Sequence, residues 1–240
     1  MRAVICGANG AMGKLLQLRF EEIAGLVSID GENGVAKTFA ELGDVKPDVV
    51  VDFSHHSAAP QAAEYAVRHG CALVVGTTGH SEEEKAAIFA AAKEIPVFYA
   101  GNMSLGIAVL CRLAKEAAKS FPDADIEIVE VHHNRKVDAP SGTARMLFEA
   151  VKEVRPQATA HCGRAGEGKR TADEIGISSL RMGGVVGIHE VHICTDTQRL
   201  TLKHEACDRG MFADGAKAAA EFIQGKKAGL YNMTQLLEEN

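Results

Sequence analysis

The sequence predicts an α/β chain, a parallel sheet with crossover helices into which a second, α+β domain with a mixed sheet is inserted. Three observations carry this. A short apolar strand, Ala3 to Cys6, runs directly into a glycine turn and a helical pattern. Apolar strands and helical stretches then alternate as far as Tyr99, a spacing that gives parallel strands joined by right-handed crossovers. From Ile177 onward come strand-like runs whose connections are too short for helical crossovers, which makes them antiparallel. At 240 residues the chain exceeds the usual single-domain size of ~100–200. The predicted division is residues 1–103 with 210–240, and 104–209.

Taken in order, the first strand enters Gly7-Ala8-Asn9-Gly10-Ala11-Met12-Gly13, and a helical pattern follows from Lys14 to Ile23. Strand, glycine turn and helix N-terminus bring bare backbone and the positive end of a helix dipole to a pyrophosphate. A second strand, Leu26 to Ile29, ends at Asp30, an acid placed to accept from an adenosine ribose hydroxyl. A small helix is expected over Lys37 to Leu42. Asp48 to Ser54 is a buried strand carrying Phe53 and Ser54 at its end, and Ala59 to His69 is its helix. Ala72 to Val75 ends in the small-residue loop Gly76-Thr77-Thr78-Gly79. Ser81 with Glu84 reads as a capping box for a helix to Ile95. Pro96 to Tyr99 ends in Ala100-Gly101-Asn102-Met103. Ligands of parallel sheets sit at the carboxyl ends of the strands, so these five loops gather on one edge as a dinucleotide site.

Ser104 to Ser120 reads as a helix, and Ile126 to Val131 as a strand entering Glu130-Val131-His132-His133-Asn134-Arg135-Lys136-Val137-Asp138-Ala139-Pro140-Ser141-Gly142-Thr143-Ala144. Adjacent histidines on an extended chain point to opposite sides, which suits one proton-transfer residue and one ligand residue. Asp138-Ala139-Pro140 keeps the chain extended. Ser141 or Gly142 then caps a helix from Thr143 to Val154 whose first N–H groups suit a carboxylate. Ile177 to Met182, Val185 to Thr195 and Arg199 to Ala206 are the expected antiparallel strands. Met211 to Gln224 is helical, and the segment from Gly229 leads into a last short helix.

Composition narrows the partners. A net charge of −6 gives no bulk attraction to nucleic acid or to an anionic membrane, so an anionic ligand needs a local basic cluster. No leader pattern and no apolar run of ~18 residues is present, which points to the cytoplasm. The six cysteines lack CxxC pairing and read as reduced core thiols. The ten histidines lack HExxH spacing, so no metal is expected.

The Glu130 to Ala144 stretch closely resembles the signature of the 4-hydroxy-tetrahydrodipicolinate reductase family. Gly7 to Gly13, Asp52-Phe53-Ser54, Gly76 to Gly79, Asn102-Met103-Ser104, Ile177 to Arg181 with Gly187 and His189, and Gly229-Leu230-Tyr231 match its landmarks in order. The resemblance implies a Rossmann-like domain built from both chain ends, a central substrate domain and a homotetramer assembled through the substrate-domain sheets. It implies that His132 is the acid/base residue. His133 and Lys136 hold a carboxylate of a cyclic dicarboxylate substrate, Lys136 being also able to donate a proton, and Ser141, Gly142 and Thr143 complete the anion site. The implied reaction is reduction by NADH or NADPH in the diaminopimelate route to lysine. Family members often carry a basic residue inside the glycine turn, and some carry Arg after the ribose acid. Here those places hold Ala11 and Gly31, with Asp30 retained, which predicts a preference for NADH.

Overall fold

A computed structural model describes residues 1–239. The chain divides into two compact units. One comprises Met1–Leu105 with the segment from Arg209 onward, and the other Gly106–Asp208.

The first unit is built on six parallel strands: β1 (Arg2–Cys6), β2 (Glu22–Val27), β3 (Val49–Asp52), β4 (Ala72–Val75), β5 (Pro96–Tyr99) and β11 (Gly229–Tyr231). Their spatial order is β11-β5-β4-β3-β1-β2. β3 and β4 are buried along their whole length, as expected of parallel strands covered on both faces. The helices here are α1 (Ala11–Gln17), α2 (Ala59–His69), α3 (Glu82–Ala91), α6 (Gly210–Phe222) and α7 (Met233–Glu239). The Ser81–Glu84 capping box forms in both directions at the start of α3. The alanine face of α2 packs with Val4, Val50, Leu73, Ile88 and Val97 into one core.

Two expectations fail in this unit. The helical pattern to Ile23 stops at Gln17, because Glu22–Val27 is strand paired with β1, so tertiary pairing overrides an ambiguous local pattern. The expected helix at Lys37 to Leu42 is reduced to one 3-10 turn, Phe39–Leu42. The Gly229 segment contributes a strand that sequence periodicity did not mark. At three residues it is too short to show a period, and its pairing with β5 makes it an edge of the sheet.

The second unit holds α4 (Leu105–Ser120), whose first residue belongs to the first unit, then β6 (Asp125–His132), α5 (Gly142–Lys152), β7 (Thr159–Cys162), β8 (Glu174–Arg181), β9 (Gly187–Cys194) and β10 (Arg199–Ala206). The sheet order is β10-β9-β6-β8-β7. β6 pairs parallel with β8 and antiparallel with β9, so the sheet is mixed. β8 and β9 run in opposite directions but are not neighbours. Their connection spans the end of β6, which lies between them, and only β9 and β10 form the expected adjacent pair. β7 was not anticipated, since its four residues are exposed and lack an apolar face. Ile126, Ile128, Ile175, Ile177, Val191 and Ile193 on one face of the sheet close on Ile107, Leu110, Leu147, Phe148 and Val151 of α4 and α5.

No helix among the described residues is long and apolar enough to cross a membrane. The reading of all six cysteines as core thiols is corrected. Cys6 and Cys71 are buried and Cys111 half-buried, whereas Cys162, Cys194 and Cys207 are exposed, because β7, the end of β9 and the turn after β10 lie at margins of the second unit.

Candidate active site

Each unit carries one half of the predicted equipment. In the first, a cavity of about 770 Å3 opens at the carboxyl ends of β1, β2 and β3. Gly7, Asn9, Gly10, Asp30, Phe53 and Ser54 line it. Gly7 adopts φ +82°, and a Cβ there would strike the carbonyl of Phe53, so only glycine fits. A Cβ at Gly13 would strike the Gly7 carbonyl and Ala8, so that glycine sets the close approach of α1 to β1. The N–H groups of Gly7 and Ala8 donate to the Val27 carbonyl at 2.8 and 3.1 Å, and that of Gly10 to Gly7 at 3.0 Å. Gly10 is the N-cap of α1 and offers no side-chain cap to the first turn, where Ala11 and Met12 lie.

Asp30 sits in the turn after β2, where its Oδ1 accepts from Asn9 Nδ2 at 2.5 Å. That bond is the main cause holding the exposed carboxyl below its ordinary value. The loop after β3 is tied to its neighbour through buried Asp52. Ser54 Oγ donates to Asp52 Oδ1 at 2.5 Å and Ser54 N–H to Thr77 Oγ1 at 2.9 Å, while the Phe53 ring covers bare Gly76. Burial pushes the Asp52 carboxyl up.

Other predicted cofactor residues lie off the cavity lining. Ala8, Thr77 and Met103 are buried. The Met103 carbonyl meets Gly215 of α6 so closely that no Cβ fits between them, a packing duty. Thr78, Ala100, Gly101 and Asn102 occupy the loops after β4 and β5. Lys37 and Arg68 are cations of the lining that sequence reasoning did not mark. Lys37 lays its aliphatic stem across Gly31, beside Asp30. Its only sequence signal was a lone cation in a short loop.

In the second unit the chemistry gathers at the end of β6. Glu130 and His132, two apart on a strand, share one face. Glu130 has no exposed surface, and His132 Nδ1 lies 2.5 Å from its Oε2. Arg181, opposite His132 on β8, donates from Nη1 to Oε2 at 2.9 Å and from Nη2 to Oε1 at 2.8 Å. The Ser141 N–H donates to Oε1 at 3.1 Å. Burial alone would raise the Glu130 carboxyl; hydrogen bonds from Arg181, His132, Ser179 and Ser141 outweigh it and bring it down to about 2.

His189 packs edge-on against His132 with ring centroids 5.1 Å apart, and its Nε2 lies 3.3 Å from Ser141 Oγ. Burial first, then the charge of His132, lowers it to about 4, so it is neutral at pH 7.

The predicted anion residues follow in the same loop. Ser141 caps α5, its Oγ accepting from Ala144 N–H at 3.2 Å, so the helix begins at Gly142 and includes Thr143. The Ala139–Pro140 peptide before the cap is cis. His133 follows the strand end. Lys136 closes a turn by donating its N–H to the His133 carbonyl, and its Nζ lies 2.8 Å from Asp138 Oδ1. The ammonium is therefore matched by a carboxylate on its own loop. No cluster of three or more His, Cys, Asp and Glu side chains among the described residues is arranged to hold a metal ion.

Residues 1–103 match the family model for the N-terminus of dihydrodipicolinate reductase, and residues 106–237 the model for its C-terminus. The chain belongs to the dihydrodipicolinate reductase family. It is similar to a curated 4-hydroxy-tetrahydrodipicolinate reductase from Alkaliphilus metalliredigens, at 40% identity over 99% of both chains. The one from Caldanaerobacter subterraneus is 42% identical over 100% of this chain and 99% of its own. Among solved structures, a dipicolinate-bound dihydrodipicolinate reductase from Paenisporosarcina sp. TG-14 superposes with a TM-score of 0.80 at 25% identity, over 97% of both chains. Family members are oxidoreductases that use a pyridine nucleotide. Within this family frame Glu130, Arg181 and His189 are the side chains to which sequence reasoning gave no role. Glu130 and His132 at i and i+2 on a strand were the available signal for the first.

Proposed function

We propose that the chain reduces 4-hydroxy-2,3,4,5-tetrahydrodipicolinate to tetrahydrodipicolinate, with loss of water, on the diaminopimelate route to lysine. The observation that carries this reading is the His132–Glu130 pair at the end of β6, beside Lys136 and the Ser141-capped start of α5. The family resemblance assigns the roles. His133, Lys136 and the Ser141-Gly142-Thr143 helix start hold a carboxylate of the substrate, where charge-assisted bonds and the helix dipole act together. Lys136 exchanges its Asp138 partner for that carboxylate. Loss of the 4-hydroxyl gives a conjugated imine, and His132 protonates the enamine left by reduction at ring carbon 4. The bare backbone at Gly7 and Gly10 and the Asp30 carboxylate fit a dinucleotide, whose reduced nicotinamide supplies the hydride.

NADH is the preferred reductant in this reading, since Asp30 stands at the ribose position and Ala11 and Gly31 bring no charge. A homotetramer in the cytoplasm goes with it. The outer face of the second unit's sheet pairs Val131 with Leu180 and Ile188, and Leu180 is 43% exposed, an apolar strip suited to burial against another copy.

The test is nucleotide oxidation with substrate generated in situ by the preceding synthase. Turnover dependent on that substrate supports the reading, and its absence under both nucleotides sinks it. A kcat/KM at least tenfold in favour of NADPH would overturn the NADH preference alone, by assigning the 2′-phosphate to a cation such as Lys37.

A further inference from the structure

We propose that Glu130 is a positioning residue that fixes which nitrogen of His132 carries the reactive proton, and that the same carboxylate keeps the Ser141 turn in register with it. The inference rests on the reading of His132 as the acid. A buried carboxylate is costly unless each of its oxygens is paired. Glu130 meets that condition with at least two bonds on each oxygen, His132 Nδ1 and Arg181 Nη1 at Oε2 and Arg181 Nη2 and Ser141 N–H at Oε1, with Ser179 adding to them. An ionised carboxylate only accepts, so the hydrogen on its bond to His132 belongs to Nδ1.

The working nitrogen is then Nε2, which stands beside bare backbone. A Cβ added at Gly187 would come within 3.3 Å of it. His189, neutral and edge-on to the His132 ring, approaches the same Gly187 position and does not compete for the proton. Arg181 is the counter-charge. Its two-pronged grip holds the carboxylate plane, and its Nη2 also donates to the Asp138 carbonyl at 2.7 Å. Through Ser141 N–H the carboxylate reaches the N-cap of α5, so the group that orients the proton donor also orients the start of the proposed carboxylate grip. Neither His132 nor Ser141 can shift without lengthening a bond to a side chain that has no free oxygen lone pair facing water.

Nitrogen-15 histidine spectra of the full chain at alkaline pH read the tautomer directly. In the parent protein neutral His132 carries its hydrogen on Nδ1. In Glu130→Gln the amide donates to Nδ1, so the hydrogen moves to Nε2, and kcat falls about 10²-fold with KM for the dicarboxylate within threefold. A purely structural role would lower stability and leave the tautomer in place. Glu130→Asp guards against a Gln variant that does not fold. It keeps the charge facing Arg181 but withdraws the oxygen from His132 by one methylene, and it is expected to lose the Nδ1 preference and about tenfold in kcat. An Nδ1 tautomer with a kcat within threefold of the parent, in whichever variant folds, overturns the proposal. If His132→Gln is slow while the Glu130 variants are not, only this inference fails; if His132→Gln is itself fast, the reading of the reaction fails.

Discussion

The two units build their sites from opposite materials. The nucleotide cavity of the first is shaped by backbone and by what is missing: Gly7 against the Phe53 carbonyl, Gly13 against Ala8, Gly76 under the Phe53 ring. The cluster of the second is made of ionisable side chains around one buried carboxylate, with Arg181, His132 and Ser141 all donating to Glu130. The difference teaches where each is vulnerable. A glycine turn fails when an atom is added, and a proton-transfer cluster fails when a charge or hydrogen is removed.

The largest expected effect lies in the second unit. His132→Gln should lose ~10²–10⁴ in kcat, the range of general acid catalysis, with NADH affinity unchanged, as read by steady-state rates and nucleotide titration. An unchanged rate would remove His132 from the mechanism.

Acid should separate the units next. His189 is depressed to about 4 from an ordinary 6.5, so the stability tied to its neutral form is whole above pH 6.5 and is lost as pH falls toward 4. Glu130, depressed to about 2 from 4.5, loses its share between pH 4.5 and 2. Each is worth on the order of 3 kcal/mol. In the first unit Asp52 has the opposite sign. Its carboxyl is raised by burial, so its contribution is lost as pH rises through the raised value and regained on acidification. His80, lowered by burial, acts in the opposite sense. Hydrogen exchange corrected for intrinsic rates should therefore show β6, β8 and β9 opening before β1, β3 and β4 as pH drops from 7 to 4.5. The reverse order would break the comparison.

A smaller loss is expected from Gly7→Ala. The left-handed φ costs about 1–3 kcal/mol and the contact with the Phe53 carbonyl adds to it, so the urea midpoint and NADH affinity fall together. Wild-type NADH affinity in that variant would mean the turn does not shape the site.

The same contrast explains what could be seen in the sequence. Parallel strands covered on both faces are short apolar runs, so β3, β4 and β5 are legible, as are the glycine turn and the Ser81 capping box. The start of Glu22–Val27 was not, because Glu21, Glu22 and Ile23 also fit the end of a helix, so the strand was expected only from Leu26, and pairing with β1 decides the matter. The loop from Glu130 to Ala144 was legible as chemistry, but its wiring was not. Arg181 is about fifty residues from Glu130 in sequence and His189 further still, and only the pairing of β8 and β9 on either side of β6 brings them to the carboxylate. Adjacency of β8 and β9 would have been the wrong guide, since it leaves β6 without one of its two neighbours.

The central claim is that nucleotide recognition belongs to the first unit, and dicarboxylate grip with proton delivery to the second. Calorimetric titration of two variants tests it most directly, using NADH and, at saturating NADH, pyridine-2,6-dicarboxylate. Asp30→Ala should weaken NADH about tenfold and leave the dicarboxylate unchanged, whereas Lys136→Ala should weaken the dicarboxylate about tenfold and leave NADH unchanged. Loss of both ligands by the same factor in either variant, or an exchange of the two patterns, would contradict the account.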